Sequence, residues 1–354
     1  MENLFEGYTV IELSSVLAGP YAGMMFSELG AKVIKVENQT TGGDVTRGWK
    51  SKGESAKTSI SSYYASVNYR KEVLMLDFTK MNDINKVYEL LKTADVVITN
   101  FKFGDDFRFA LDYGRVKTVN PKIIYAKLLG FNSEPTKVAY DVVVQAECGY
   151  MYMNGSPEGP PTKIPVALMD VLAGHQLRSG ILAALLRRTK TGKGALVEVS
   201  LESSAIASLV NQGTNYLMNG NLPERLGSRH PNIALYGEIV TSSDQKELVL
   251  ALGSQKHFEK LCRLLQLEEL IQKYDSNLVR LEHLDALSEL IRSKFKTGSL
   301  VHWREQLNVH DIPFGEIKNM EDVSRGSTGT EMIKKENREG ETTLRFSTIG
   351  FSVS

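Results

Sequence analysis

Residues 8–37, YTVIELSSVLAGPYAGMMFSELGAKVIKVE, decide how the rest of the chain is read. Tyr8–Leu13 is a short apolar run rich in β-branched side chains, the pattern of a buried strand. Ser14, Ser15, Gly19 and Pro20 break that run, Pro20–Leu29 has helical spacing, and Gly30 stops the helix. Lys32–Glu37 is again a strand. Strand, helix and strand in close succession form the building block of a parallel sheet.

The alternation continues downstream. Val73–Asp77 reads as a strand, Lys80–Lys92 as a helix, Val96–Thr99 as a strand, and Ile123–Leu128 as another after a further helical segment. This predicts an α/β fold with a Rossmann-like parallel sheet. Ile164–Leu168 is a strand candidate meeting, at Asp170, a helix over Val171–Arg188 whose Leu177, Ile181, Ala184 and Leu185 share a face. Lys190–Gly194 is a turn, Ala195–Ser200 a strand, and a helix follows through about Leu217. Asn219–Arg229 is rich in Gly, Pro, Asn and Arg, and leads to a strand at Leu248–Leu252 and amphipathic helices at Phe258–Leu265, Leu281–Phe295 and Leu300–Leu307. The expected organisation is a large domain of residues 1–221 plus 326–354, with a smaller α+β domain at 222–325.

Bulk properties narrow the function. A chain of 354 residues exceeds what one hydrophobic core usually serves, and 42% hydrophobic with 24% charged residues is a globular balance. Lys plus Arg and Asp plus Glu each number 42, so no net field draws the protein to nucleic acid or an anionic membrane. An anionic ligand has to be met by a local basic pocket. Cys148 and Cys262 lie far apart and, like the six histidines, match no metal spacing; no metal site is expected, and a reducing, cytoplasmic setting is. Met1–Gly7 carries acids where a signal peptide carries bases, and no apolar run nears the roughly 18 residues of a membrane span, so the chain reads as soluble and unprocessed.

Two further motifs fail. Gly192-Lys193 is followed by Gly194 where a phosphate loop needs Ser or Thr, and no Gly-x-Ser-x-Gly elbow occurs. Asp170 admits two readings from position alone. It is an N-cap, for which Asp is favoured, or a nucleophilic carboxylate kept ionised by unpaired backbone N–H groups and the helix dipole, an effect of about 0.3–1 kcal/mol.

Several longer stretches occur together: "VLAGPYAGMMFSELGAKVIKVE", "GGDVTRGW", "ADVVITNFKFG", "NPKIIYAKLLGF", "AYDVVVQAECGYMYMNG", "VALMDVLAGHQLRSGILAALLRRTKTGKGALVEVSL", "GSRHPNIALYGEI" and "HDIPFGEIKNMEDV". In this order they resemble the class III CoA-transferases, the family of formyl-CoA, carnitine and bile-acid CoA-transferases and of α-methylacyl-CoA racemase. The resemblance implies that Asp170 attacks an acyl-CoA thioester to give an aspartyl-acyl anhydride and CoA thiolate. The thiolate then forms an aspartyl-CoA thioester, which an acceptor carboxylate attacks. Nucleophilic catalysis of this kind divides one difficult exchange into easier steps. The anhydride requires protection from water, and binding of the remote ADP end of CoA can help drive closure.

The resemblance also implies a CoA site along the loops after the early strands, where open α/β sheets bind ligands. Carried over, its residues are Val16, Leu17 and Ala18; Asn38; Leu76, Asp77, Phe78 and Thr79; Phe101, Lys102 and Phe103; Arg108; and Ala139, Tyr140, Asp141 and Val142. Asn38 stands where an Arg is common, and Lys35, Arg47 or Lys102 are the compensating cations. Leu17 replaces the Gln of formyl-CoA transferases, and Met169 a frequent Gly beside the nucleophile. Tyr140 occupies the position of the racemases' His; a phenol with a pKa near ~10 is a poor base at neutral pH. CoA transfer therefore leads over racemase or isomerase chemistry and over CoA binding without catalysis. Leu226–Pro231 lacks the glycine cluster of formyl-CoA enzymes, which points to larger acids; Arg229 and His230 either meet an acceptor carboxylate or stiffen the loop. No cofactor is expected beyond the CoA thioester substrate. The expected partners are acyl-CoA, a small carboxylic acid and a second copy of the chain in an interlocked homodimer, with a less complete wrap because the sequence ends at Ser354.

Overall fold

The computed structural model describes residues 3–338 and 340–353; Met1 and Glu2 of the acidic start, Glu339, and Ser354 lie outside the described residues. Strands β1 (Thr9–Leu13), β2 (Lys32–Asn38), β3 (Lys71–Leu76), β4 (Val96–Thr99), β5 (Ile124–Leu129) and β6 (Ala195–Ser200) form one sheet in the order β3-β2-β1-β4-β5-β6. Every neighbouring pair is parallel. This is the α/β, Rossmann-like arrangement expected from the alternation. The order reverses between β1 and β4, the point at which such sheets open a crevice for ligands.

Val10, Ile11, Val96–Ile98 and Ile124–Ala126 are fully buried, as expected of parallel strands covered on both faces. Ile11, Ile34, Val97 and Tyr125 pack with Ile84, Val87 and Leu91 of the Met81–Leu91 helix in one core.

Helix α1 (Ala18–Glu28) crosses the sheet over two buried polar residues, Glu12 and Ser14. Its small residues permit this: a methyl group at Gly19 would collide with Ser14, and one at Gly23 with the Glu12 carboxylate. Gly30 ends the turn behind the helix at φ +94°, a conformation that glycine adopts without cost.

Three expectations change. Ile164–Leu168 does not join the sheet. Pro165 cannot donate to a ladder, and the Ile164 N–H is instead satisfied by Gln145 Oε1 at 2.7 Å. The long helix begins earlier, spanning Leu168–Thr191, so Asp170 is its third residue. The helix after β6 is two helices, Leu201–Ala207 and Val210–Asn219.

The chain divides into two compact units, one of Met1–Gly149, Ile164–Thr214 and Gly326–Ser354, the other of Tyr150–Lys163 and Asn215–Arg325. The second contains an antiparallel sheet, β7 (Tyr236–Thr241), β8 (Glu247–Ala251) and β9 (Phe314–Glu316), over a core that includes Leu248, Leu250, Phe258, Leu261, Ile291 and Phe295. Among the described residues no helix is long and apolar enough to cross a membrane.

Replacing Gly23 with Ala should destabilise the protein by about 1–3 kcal/mol, the usual range for overpacking. Urea denaturation reads this directly, and an unchanged midpoint would mean that α1 does not sit this close to Glu12.

Candidate active site

At the carboxyl ends of β1, β4 and β5, the segments Ser15–Ala18, Asn100–Phe103 and Lys127–Phe131 enclose a cavity of about 300 Å³ with Pro135–Tyr140 and Asp170. It gathers nine residues singled out in the sequence: Val16, Leu17, Ala18, Phe101, Lys102, Phe103, Ala139, Tyr140 and Asp170.

The other sequence-derived candidates stand elsewhere. Asn38 turns its Oδ1 to the Thr40 N–H at 3.1 Å and caps a local turn. Leu76 and Phe78 are core residues, the Phe78 ring meeting Phe101 edge-on and Phe109 at a tilt. Asp77 accepts from the backbone and hydroxyl of exposed Thr79, at 2.9 and 2.6 Å. Arg108 is exposed beside Asp105 and Val142 is exposed on the Asp141–Glu147 helix.

Two of the three compensating cations are committed to internal partners. Lys35 is fully buried, with its Nζ 3.0 Å from both Glu12 and Asp44; an enclosed ammonium cannot reach a phosphate in solvent. Arg47 grips both oxygens of Glu37 at 2.8 and 3.2 Å and donates to the Tyr64 hydroxyl at 2.8 Å. Lys102 is exposed at the cavity. The cavity also holds Lys127, paired with Asp106 at 2.7 Å, and Lys137, paired with Glu147 at 2.6 Å. Sequence reasoning missed both, although a lysine within the apolar run of β5 was a visible signal.

Asp170 is 8% exposed, and no hydrogen bond to its carboxylate occurs among the described residues. It is not the N-cap of the long helix: Ala167 holds that position without a side-chain bond. The capping work falls to Asp141, whose Oδ1 accepts from the Met169 N–H at 2.8 Å while its Oδ2 accepts from Gln145 at 2.6 Å. Asp141 is thereby turned to the helix end, not to the cavity.

Burial pushes the Asp170 carboxyl up to about 7, and the Asp141 charge adds to the effect. This corrects the expectation of a carboxylate kept ionised by the helix dipole. One pKa unit corresponds to about 1.4 kcal/mol, so a dipole contribution of about 0.3–1 kcal/mol is outweighed by desolvation.

One turn further, a side chain on Gly174 would come within 2.7 Å of the Tyr21 ring and 3.0 Å of the Ala18 carbonyl. The long helix therefore seats against the start of α1, bringing Asp170 to the same wall as Val16–Ala18. Val16 has φ +70°. Left-handed backbone at a β-branched residue costs about 1–3 kcal/mol and persists only where the surroundings enforce it.

Tyr63 is a neighbour for which the sequence held no motif. Burial, then the charges of Asp170, Asp141 and Asp44, push its phenol up to about 12, so it remains a proton donor. Its ring meets Trp49 edge-on at 5.1 Å. In the second unit, Arg229 pairs with Glu238 at 3.3 Å and Asp285 at 2.7 Å, and His230 Nδ1 accepts from the Asn232 N–H at 3.1 Å. These bonds match the loop-stiffening alternative.

The burial of Asp170 has a measurable stability cost. The unfolded chain releases this proton near pH 4 and the folded protein near 7, so stability falls as pH rises through that window and the loss is complete above it. Asp170→Asn should gain roughly 2–4 kcal/mol relative to wild type between about pH 4 and pH 8. Urea titrations at the two pH values test this, and parallel curves for the two proteins would rule it out.

The chain is similar to known proteins. CoA-transferase family III matches residues 5–354. The chain is 35% identical over 325 residues to the succinate–glutarate CoA-transferase of Agrobacterium fabrum, covering 90% of this chain and 80% of that one. It is 31% identical over 323 residues to the succinyl-CoA:glutarate CoA-transferase of Homo sapiens, covering 90% and 72%. A crystal structure of a CAIB/BAIF family protein from Brucella suis superposes with a TM-score of 0.84 at 32% identity, covering 99% of this chain and 93% of that one. The full-length match, the parallel sheet and these relatives agree that the chain belongs to CoA-transferase family III.

Proposed function

We propose that the protein transfers CoA from an acyl-CoA to a carboxylic acid through a covalent intermediate on Asp170, and that both acids are short dicarboxylic acids. The observation that carries this reading is a buried carboxyl group without a hydrogen-bond partner among the described residues, on the wall of the cavity at the sheet's reversal point.

In the first step a carboxylate oxygen of Asp170 attacks the thioester carbonyl carbon. The C–S bond breaks, CoA leaves as thiolate, and an aspartyl-acyl anhydride remains. The thiolate attacks the aspartyl carbonyl and releases the donor acid. The acceptor carboxylate then attacks the aspartyl-CoA thioester, giving a second anhydride. Return of the thiolate to the acceptor carbonyl yields the new acyl-CoA and restores Asp170. A carboxylate with a pKa near neutrality is more basic than an ordinary one yet substantially ionised at neutral pH, which suits a nucleophile that must also leave.

Leu17 and Ala18 open α1, which has no side-chain cap. Backbone N–H groups there can stabilise negative charge developing on a thioester or anhydride oxygen. Lys102 suits a phosphate of CoA, and the exposed Phe103 ring suits an adenine face.

The dicarboxylic acids are supported by relatives named for glutarate and succinate; a relative in Acetobacter aceti at 30% identity, named for acetyl-CoA and oxalate, supports a dicarboxylic acceptor only. The absent glycine cluster at Leu226–Pro231 favours the longer of these. Tyr140 at the cavity, in place of a histidine, supports CoA transfer over α-proton chemistry. Exposed Leu182 and Leu186 on the long helix and Leu196 on the edge strand β6 support the homodimer.

Incubation with succinyl-CoA followed by hydroxylamine should modify Asp170, as read by peptide mass spectrometry. Asp170→Ala should abolish turnover while CoA affinity stays within about tenfold, or ~1.4 kcal/mol; an alanine variant that still exchanges CoA would refute the nucleophile assignment. Because only ionised Asp170 attacks, kcat/KM for the acyl-CoA should fall about tenfold per pH unit below about 7. A profile flat down to pH 5 would contradict the role of this group.

A further inference from the structure

Three consecutive residues at the end of β1 are gripped by side chains from other strands and loops. Lys35 Nζ donates to the Ser14 carbonyl at 2.7 Å. Asn100 accepts from the Ser15 N–H at 3.0 Å and donates to the Ser15 carbonyl at 2.8 Å. The Asp44 carboxylate accepts from the Val16 N–H, 3.3 Å from each oxygen. Lys35 and Asp44 are themselves joined at 3.0 Å with both side chains fully buried. One ion pair therefore spans the loop from the carbonyl of Ser14 to the N–H of Val16.

The surrounding groups complete this clamp. Glu12 accepts from Lys35 at 3.0 Å and from Lys71 at 2.7 Å. Thr46 gives Asp44 its N–H at 3.0 Å and its hydroxyl at 2.7 Å. Buried ion clusters contribute little net stability over well-packed apolar side chains of similar volume. What charged groups add here is a grip on polar backbone, and the backbone they hold is the strained Val16. Immediately after it, Leu17 and Ala18 begin α1 and share the cavity wall with Asp170.

We infer that Asp44 and Lys35 are positioning residues of the transfer reaction: their ion pair holds Val16 in the left-handed conformation and so sets the Leu17–Ala18 wall against which Asp170 meets the thioester. The inference rests on the reading of Asp170 as the nucleophile. Neither residue touches substrate; both act through Val16.

The test measures kcat and KM for succinyl-CoA, together with the single-turnover rate of adduct formation, in Asp44→Ala and Asp44→Asn, each alone and combined with Val16→Gly. Alone, both substitutions are expected to lower kcat at least tenfold while KM for the acyl-CoA stays within threefold. In the V16G background the same substitutions should cost less than threefold, because glycine holds a positive φ without a clamp. An equal loss in both backgrounds overturns the inference, since Asp44 would then act by another route, and so does an unchanged kcat in Asp44→Ala. If the alanine variant does not fold, Asp44→Asn and Lys35→Met read the same coupling. A wild-type enzyme that turns over without ever forming an adduct on Asp170 defeats the nucleophile reading instead, and leaves the coupling between Asp44 and Val16 readable in kcat.

Discussion

A parallel sheet covered by helices on both faces offers no water to the polar groups at its centre, so every charge there needs a protein partner. Glu12, Lys35, Lys71 and Asp44 satisfy this requirement for one another through ion pairs of 2.7 to 3.0 Å. Burial works against the charge on Lys35, but Glu12, Asp44 and Glu37 outweigh it and hold its pKa above the ordinary value. Lys71 has a weaker position: burial, with Lys35 nearby, brings it down to about 7 despite Glu12. The small residues of α1 exist to let a helix lie over this cluster, as the overlap of any side chain at Gly23 with Glu12 shows.

Asp170 is the exception to that rule of pairing, and its chemistry follows. Asp141 takes the helix-capping bond, fills its second oxygen with Gln145, and leaves Asp170 beside a like charge with no bond of its own among the described residues. Two carboxyl groups at one helix start are thus driven to different tasks by environment, the pattern that separates reactive from structural acids. The cost is borne as lost stability above neutral pH, consistent with the general trade between stability and function at strained or desolvated sites.

The sequence by itself determined the elements that depend on local pattern. The apolar runs at Tyr8–Leu13 and Val96–Thr99 became strands because near-continuous β-branched runs suit a doubly covered parallel sheet, and Gly30 ended α1 because few other residues take its φ. The family resemblance named loops at the carboxyl ends of several strands; Val16–Ala18, Phe101–Phe103 and Ala139–Tyr140 do line one cavity, whereas Asn38 and Leu76–Thr79, named on the same ground, do not.

Tertiary structure alone decided what depends on partners distant in sequence. Lys35 and Arg47 read as available cations, yet Glu12, Asp44, Glu37 and Tyr64 claim them. Asp141 was grouped with the nucleotide contacts, but the Met169 N–H, 28 residues on, fixed its direction. Lys127 and Lys137 joined the site through folding, Tyr63 came to feel the Asp170 charge, and Ile164–Leu168 did not become a strand because Pro165 cannot donate and Gln145 takes the Ile164 N–H. The ionisation of Asp170 belongs to the same class, because desolvation depends on which atoms close around a carboxyl group, and periodicity and motif spacing carry no record of that.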